Sequence, residues 1–342
     1  MQLFGQQRGL SLIELMIGIL LSSLLLLGVL QIFQSNSDTM RMQTAFSRVQ
    51  ESGRFAIDLL SKEIRSADYW GCVSDVASID NHLNVSSGFL ASIGADGVQG
   101  IDNADSSEKV DSIDVVDGTD ILILSGTMDA CGGVGRLVDT SVPGELKVTS
   151  NCPITAGQVV LVSNCLAADA LTITGVSGTL GGGSDRVIAH AAGSVKSGWI
   201  ENTSDTLTMS YGADSRLLLP YQRTFFIAQS AAGTNSLFMR EVTGSSDITQ
   251  ELVPGIEDMQ VSYGRDTTGN GIVDTWQNAS STLSVMAGVT AIKLQLLVAS
   301  EGNAGAGEQK ITELDGTETT YSDGRLRKLY VATVKVRNRG AM

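Results

Sequence analysis

From Leu10 to Phe33 the chain runs through 24 residues that are almost all apolar, and its one charge there is Glu14. At about 1.5 Å per residue such a helix crosses a hydrocarbon layer about 30 Å thick. The pattern therefore predicts a membrane-spanning helix over 10–33. Beyond Phe33 it turns amphipathic instead of stopping. Met42, Phe46, Val49, Gly53, Ile57, Leu60 and Ile64 recur every three or four positions as one helical stripe, with Arg41, Arg48, Glu51, Arg54, Asp58, Lys62 and Arg65 mostly on the other faces. No proline precedes Pro143, so one unbroken helix about 85 Å long is expected, its second half, 34–66, packing on a globular domain. Gly18, Gly28 and Gly53 read as tolerated flaws in it.

After Ser66-Ala67-Asp68-Tyr69-Trp70-Gly71-Cys72 the pattern changes to short runs rich in β-branched residues, separated by turn residues. The clearest runs are Asp120–Ser125, Gln158–Ser163, Leu171–Gly175, Thr206–Tyr211, Arg223–Gln229, Ser236–Val242, Met259–Tyr263, Ala291–Val298 and Leu329–Arg337. No sustained amphipathic helix lies between them, which argues against a parallel βαβ sheet. The expected class is α+β: one long N-terminal helix on a predominantly antiparallel sheet, with the globular part over 67–342. Asn81–Ser112, Ser177–Ser197 and Gly302–Gly324 are polar and glycine-rich and read as surface loops.

Glu14 is the anomaly of the apolar run. A carboxylate inside a span costs on the order of 2.5 kcal/mol even by lenient scales, and an anchor alone has no use for it. Gly9 followed by Leu10-Ser11-Leu12-Ile13-Glu14 and a long apolar helix resembles the class III leader of type IV prepilins and type II secretion pseudopilins. The resemblance implies that a prepilin peptidase removes residues 1–9 after Gly9. The new amino group on Leu10 is then methylated, and Glu14 becomes the fifth mature residue. Leu10 departs from the phenylalanine common at that position in major pilins. In an apolar filament core a free amine and Glu14 are each costly alone, and a close pair recovers much of the penalty. Glu14 is thus the expected assembly residue.

Cys72, Cys131, Cys152 and Cys165 all follow the span, on the side expected to be oxidising, so two disulfides are expected among three pairings. The favoured pairing joins Cys152 to Cys165 across a short loop, leaving Cys72 with Cys131. Zinc is disfavoured, because no C-x-x-C occurs and His82 and His190 lack ligand-like spacing. The net charge of −14, with no basic stripe, argues against nucleic acid. Asp266, Thr268, Asn270 and Asp274, with Gly271 at the sixth position, follow the start of a calcium loop. Thr268 and Gln277 stand where carboxylates belong, so any calcium affinity there is expected to be weak; a plain turn is the competing reading. No other cofactor is expected. H-E-x-x-H and G-x-S-x-G are absent, and Glu308 stands where the lysine of a P-loop must be, so no enzyme is expected. Trp70, Trp199 and Trp276 read as core or interface anchors.

Tyr69-Trp70-Gly71-Cys72, the segment Gly255–Gly264, and the terminal Val334-Lys335-Val336-Arg337-Asn338-Arg339 look like PilW-type minor pilins, relatives of the J-type minor pseudopilins. The resemblance implies a subunit held in the inner membrane by one span, with a periplasmic globular domain, that later moves to the pilus tip on the cell surface. It implies as partners other minor pilins, the major pilin, the prepilin peptidase, the inner-membrane assembly platform and a tip adhesin. A J-type pseudopilin and a membrane-anchored adhesin that never polymerises are the alternatives.

Overall fold

The computed structural model describes residues 11–339 apart from 74–77, 95–96, 106, 134–135, 139–141, 143, 194–195, 280–285, 287 and 314–315. Gly9 and Leu10 lie outside the described residues. One helix, α1, runs from Leu12 to Ser66 without a break. Its lower part has no neighbours, and its upper part is half embedded. Val49, Ala56, Leu60 and Ile64 are buried, whereas Phe46 stays half exposed, because the globular domain covers the stripe only from about Val49 onward.

Nineteen strands follow among the described residues. They are β1 (Ile79–Asn81), β2 (Val98–Ile101), β3 (Lys109–Val110), β4 (Ile113–Asp114), β5 (Ile121–Asp129), β6 (Leu146–Val148) and β7 (Val159–Ser163). Next come β8 (Ala168–Thr172), β9 (Gly175–Ser177), β10 (Arg186–Ala189), β11 (Arg216–Gln229), β12 (Asn235–Thr243) and β13 (Asp247–Pro254). The last six are β14 (Ile256–Arg265), β15 (Thr275–Gln277), β16 (Val289–Ala299), β17 (Gln309–Thr312), β18 (Glu318–Tyr321) and β19 (Arg327–Lys335).

They form an eight-stranded sheet around β11, a four-stranded sheet ordered β15-β14-β16-β19, and three small sheets. All named pairings are antiparallel except β1 with β8. The main core lies where α1 meets both large sheets: Leu60 and Ile64 share it with Phe225, Ile227 and Leu237 of one and Met259, Leu294 and Leu296 of the other. A second core, with Val160, Leu171 and Leu217, lies under the small sheet β6-β10-β9.

Several expectations need correction. The disulfides join Cys72 to Cys165 and Cys131 to Cys152, not Cys152 to Cys165 and Cys72 to Cys131. Cys152 and Cys165 lie on either side of β7, whose five extended residues alone span about 17 Å. Gly71 meanwhile rests on the Ser163 side chain at the end of that strand, which brings Cys72 to Cys165. Thr206–Tyr211 forms no strand, because Thr208 and Tyr211 turn their polar groups onto Asp169. The first of the three expected loops carries β2, whose Val98 is buried in the main core, the second carries β10, and the third a β17–β18 hairpin. Strand β8 begins three residues before Leu171 and ends at Thr172.

Asp68 fixes the upper end of α1. It adopts a left-handed conformation, accepts bonds from the Trp70 indole at 2.8 Å and the Gly97 N–H at 2.9 Å, and ion-pairs with Arg339. Asn338 donates to the Ala67 carbonyl at 2.8 Å. Arg223 bridges Glu63 of the helix at 2.5 Å and Glu241 of β12 at 2.6 Å.

Gly53 is not a flaw. A Cβ there would lie 2.3 Å from the Tyr330 ring, whose hydroxyl donates to the Val49 carbonyl at 3.2 Å. Gly53→Ala gains about 1 kcal/mol of helix propensity but forces a ring sandwiched between helix and sheet to move, an overpacking cost of about 1–3 kcal/mol. Net destabilisation of up to about 2 kcal/mol in urea unfolding is the expected result, and Tyr330→Leu should relieve it.

Candidate functional site

The apolar half of α1 stands clear of the globular domain. None of its most apolar window is buried, and its side chains from Leu12 to Phe33 are largely exposed. Glu14 lies in the first helical turn. It is the one charge on this exposed segment, about 29 Å along the axis from Phe33. Some twenty adjacent apolar side chains facing outward far exceed the patch a soluble monomer leaves uncovered. The segment is built to be surrounded, by lipid or by other helices. A notch of about 560 Å³ continues upward from it, between Phe33, Met40 and Val49 of the helix and Ala299 and Ala304 of the domain. Arg48 and Glu301 pair across it at 3.0 Å.

The four cysteines hold the domain instead of forming a site: Cys72–Cys165 ties the segment leaving α1 to the end of β7, and Cys131–Cys152 closes the second core. In the candidate calcium loop the carboxylates are occupied by the loop's own backbone. Asp266 accepts N–H bonds from Gly269 at 2.7 Å and Gly271 at 2.6 Å, and from Thr268 and Asn270 at 3.2 Å. Asp274 accepts from the N–H and hydroxyl of Thr267 at 2.7 and 2.8 Å. Desolvation pulls the Asp266 carboxyl upward, but these N–H donors outweigh it and hold the group below the usual range. The Thr267 hydroxyl and N–H do the same for Asp274. Calcium there is a proposal carried by spacing alone. Calorimetry of the full chain should read a Kd no tighter than about 0.1 mM, lost in Asp266→Asn, and a complete absence of calcium-dependent heat removes it.

The outer face of the four-stranded sheet carries a polar cavity of about 350 Å³, lined among others by Asp102, Asp120, Asp258, Gln260, Lys293 and Glu313. Sequence reasoning missed it, because the residues come from separate segments. Asp120 is 3% exposed; it accepts the Val261 N–H at 2.7 Å and the Asn103 N–H at 2.8 Å, linking the two large sheets. Burial pushes its carboxyl up to about 6, against those N–H bonds and helped by Asp102 and Asp258. Burial likewise raises Asp258 to about 6, with Glu313 and Glu257 adding repulsion.

A carboxyl whose folded pKa exceeds its unfolded value binds more protons when folded, so its contribution is complete below about pH 4 and lost as pH rises through about 6. The acids held low, such as Asp247, act below pH 4 and leave this window alone. Stability in urea should therefore rise as pH falls from 7 to about 4.5, by about 2 kcal/mol for each group at most. Asp120→Asn should flatten the profile.

Comparison with known proteins now adds two observations at opposite ends of the chain. Residues 224–338, from the second half of β11 through β19, match the family described as type IV pilus-assembly protein W, PilW. Residues 5–30 match the prokaryotic N-terminal methylation motif. The two ends of the chain thus carry the marks of a PilW-type minor pilin of type IV pili. Among solved structures a similar chain is the type IV-like pilin TTHA1219 from Thermus thermophilus, 16% identical, covering 54% of this chain and 84% of that one with a TM-score of 0.26. A comparison with curated proteins gives no match. For a PilW-type pilin the exposed apolar helix is the membrane anchor used before assembly, and its neighbours are other pilus components.

Proposed function

We propose that this pilin primes pilus assembly together with other minor pilins and sits with them at the tip, where it presents an adhesin. The observation that carries the reading is the bare helix: about 33 Å of outward-facing apolar surface with one carboxylate near its far end. A lipid bilayer can cover the apolar part, but it offers Glu14 no cation at that depth. A neighbouring subunit cut after Gly9, with its amino group on Leu10, does. The prepilin peptidase and the inner-membrane assembly platform act on the chain in that order, while the globular domain faces the periplasm. The role is structural and not enzymatic.

Deleting the protein is expected to abolish surface pili, and the full chain should co-purify from membranes with other minor pilins and with the major pilin. Normal pili on deletion, with loss of a secreted protein instead, would support a J-type pseudopilin. Membrane retention with no pilin partner would support an adhesin that never polymerises.

A further inference from the structure

The geometry points to a divalent transition-metal site formed by Asp80, His82 and Asp169, at the edge of the eight-stranded sheet. Asp80 and His82 stand two apart along one extended segment and therefore share a face. The His82 N–H still bonds the Ala170 carbonyl at 3.0 Å, continuing the β1–β8 ladder. Asp169 is the residue directly opposite Asp80 in that ladder. One ligand atom from each of the three lies within 4.8 Å of the other two.

Their environments differ. Asp169 is wholly buried and His82 is 5% exposed, whereas the Asp80 side chain is 61% exposed. Asp169 is held in orientation by others: the Thr208 hydroxyl donates to Oδ1 at 2.9 Å, the Thr208 N–H reaches both oxygens at 3.2 Å, and the Tyr211 hydroxyl donates to Oδ2. Such supporting bonds are what fix a ligating carboxylate.

His82 Nε2 lies 2.6 Å from Asp169 Oδ1 and 3.9 Å from Asp80 Oδ2. One ring nitrogen can donate one proton, yet two carboxylates face it. Among the described residues no lysine or arginine pairs with Asp80 or Asp169. In the tautomer with its proton on Nδ1, the imidazole presents a free Nε2 lone pair, and with the two carboxylates it makes a donor set of charge −2 that a divalent cation balances.

One nitrogen and two carboxylate oxygens suit zinc and its neighbours, with water in the remaining position. Bonds near 2.1 Å separate tetrahedral ligands by roughly 3.4 Å, so the imidazole shifts by less than about 1 Å. The ion enters through the open cleft of about 440 Å³ bounded by Ser78, Asp80, Leu166 and Thr208. Once bound it fastens the short edge strand β1 to β8, beside the Cys72–Cys165 bond.

The test is zinc titration of the full chain in detergent, read by calorimetry and by metal content after dialysis. One zinc per chain is expected, with a rise in Tm on loading. Asp80→Asn, at an exposed position, should weaken binding at least ~10-fold with an unchanged far-ultraviolet spectrum, and His82→Gln should do the same. Asp266→Asn, in the other oxygen-rich loop, should leave uptake unchanged. Zinc uptake that is absent, that survives Asp80→Asn, or that disappears in Asp266→Asn overturns the assignment.

Discussion

Glu14→Ala is expected to leave the chain inserted in the membrane but to cut its entry into pili by about 10²-fold or more. Removing one member of a buried ion pair costs about 3–5 kcal/mol, since the partner charge stays buried and unpaired, and each 1.4 kcal/mol is a factor of ten. Insertion itself should improve, since a charge leaves the span. Glu14→Gln should fail almost as badly, because an amide does not neutralise the neighbour's ammonium. Leu12→Ala, on the same exposed turn, should behave as wild type. Quantitative immunodetection of the subunit in sheared pili, against its amount in the inner membrane, is the measurement. Wild-type incorporation of the alanine variant would show that Glu14 has no charged partner in the filament.

The second large effect concerns the covalent frame. Cys72 and Cys165 are 93 residues apart and Cys131 and Cys152 are 21 apart. Constraint of the unfolded chain grows with the closed loop, to about 4–5 kcal/mol for the first and about 3 kcal/mol for the second. The double substitution Cys72→Ser, Cys165→Ser should therefore destabilise the domain more than Cys131→Ser, Cys152→Ser. It also frees the segment that leaves α1. Non-reducing peptide mapping should recover Cys72 linked to Cys165, and a Cys152–Cys165 peptide would refute this pairing.

The parts legible in the sequence were those governed by local pattern. The span from Leu10 to Phe33 needs only composition and length, and β11, β12, β14, β16 and β19 announce themselves by alternation and by turn residues at their ends. The parts that were not legible depend on distant partners. Gly53 reads locally as a weak point in the helix, because Tyr330, whose hydroxyl meets the Val49 carbonyl across 281 positions, is laid on it only by the fold. Asp80 and His82 stand two apart in sequence, but nothing local joins them to Asp169, which is 87 residues from His82. Thr206–Tyr211 carried a strand-like composition, but bonds to a buried carboxylate outweighed it. The disulfides went to the wrong partners because chain proximity favoured Cys152–Cys165, while the extended course of β7 keeps those two apart. Family motifs were legible at the two ends of the chain, where residues 5–30 and 224–338 carry them.

The grip on Asp68 has a mechanical consequence. Arg339 and Asn338, just past the last strand, hold the top of the helix from one side, and four residues beyond Asp68 the Cys72 bridge holds it from the other. Tension drawn along the rod by a growing or retracting fibre thus divides at one junction. One share passes into the final strand of the four-stranded sheet, the other into a covalent bond on the eight-stranded sheet. The exposed loops in between are bypassed, which leaves them free to vary without weakening the path of the load.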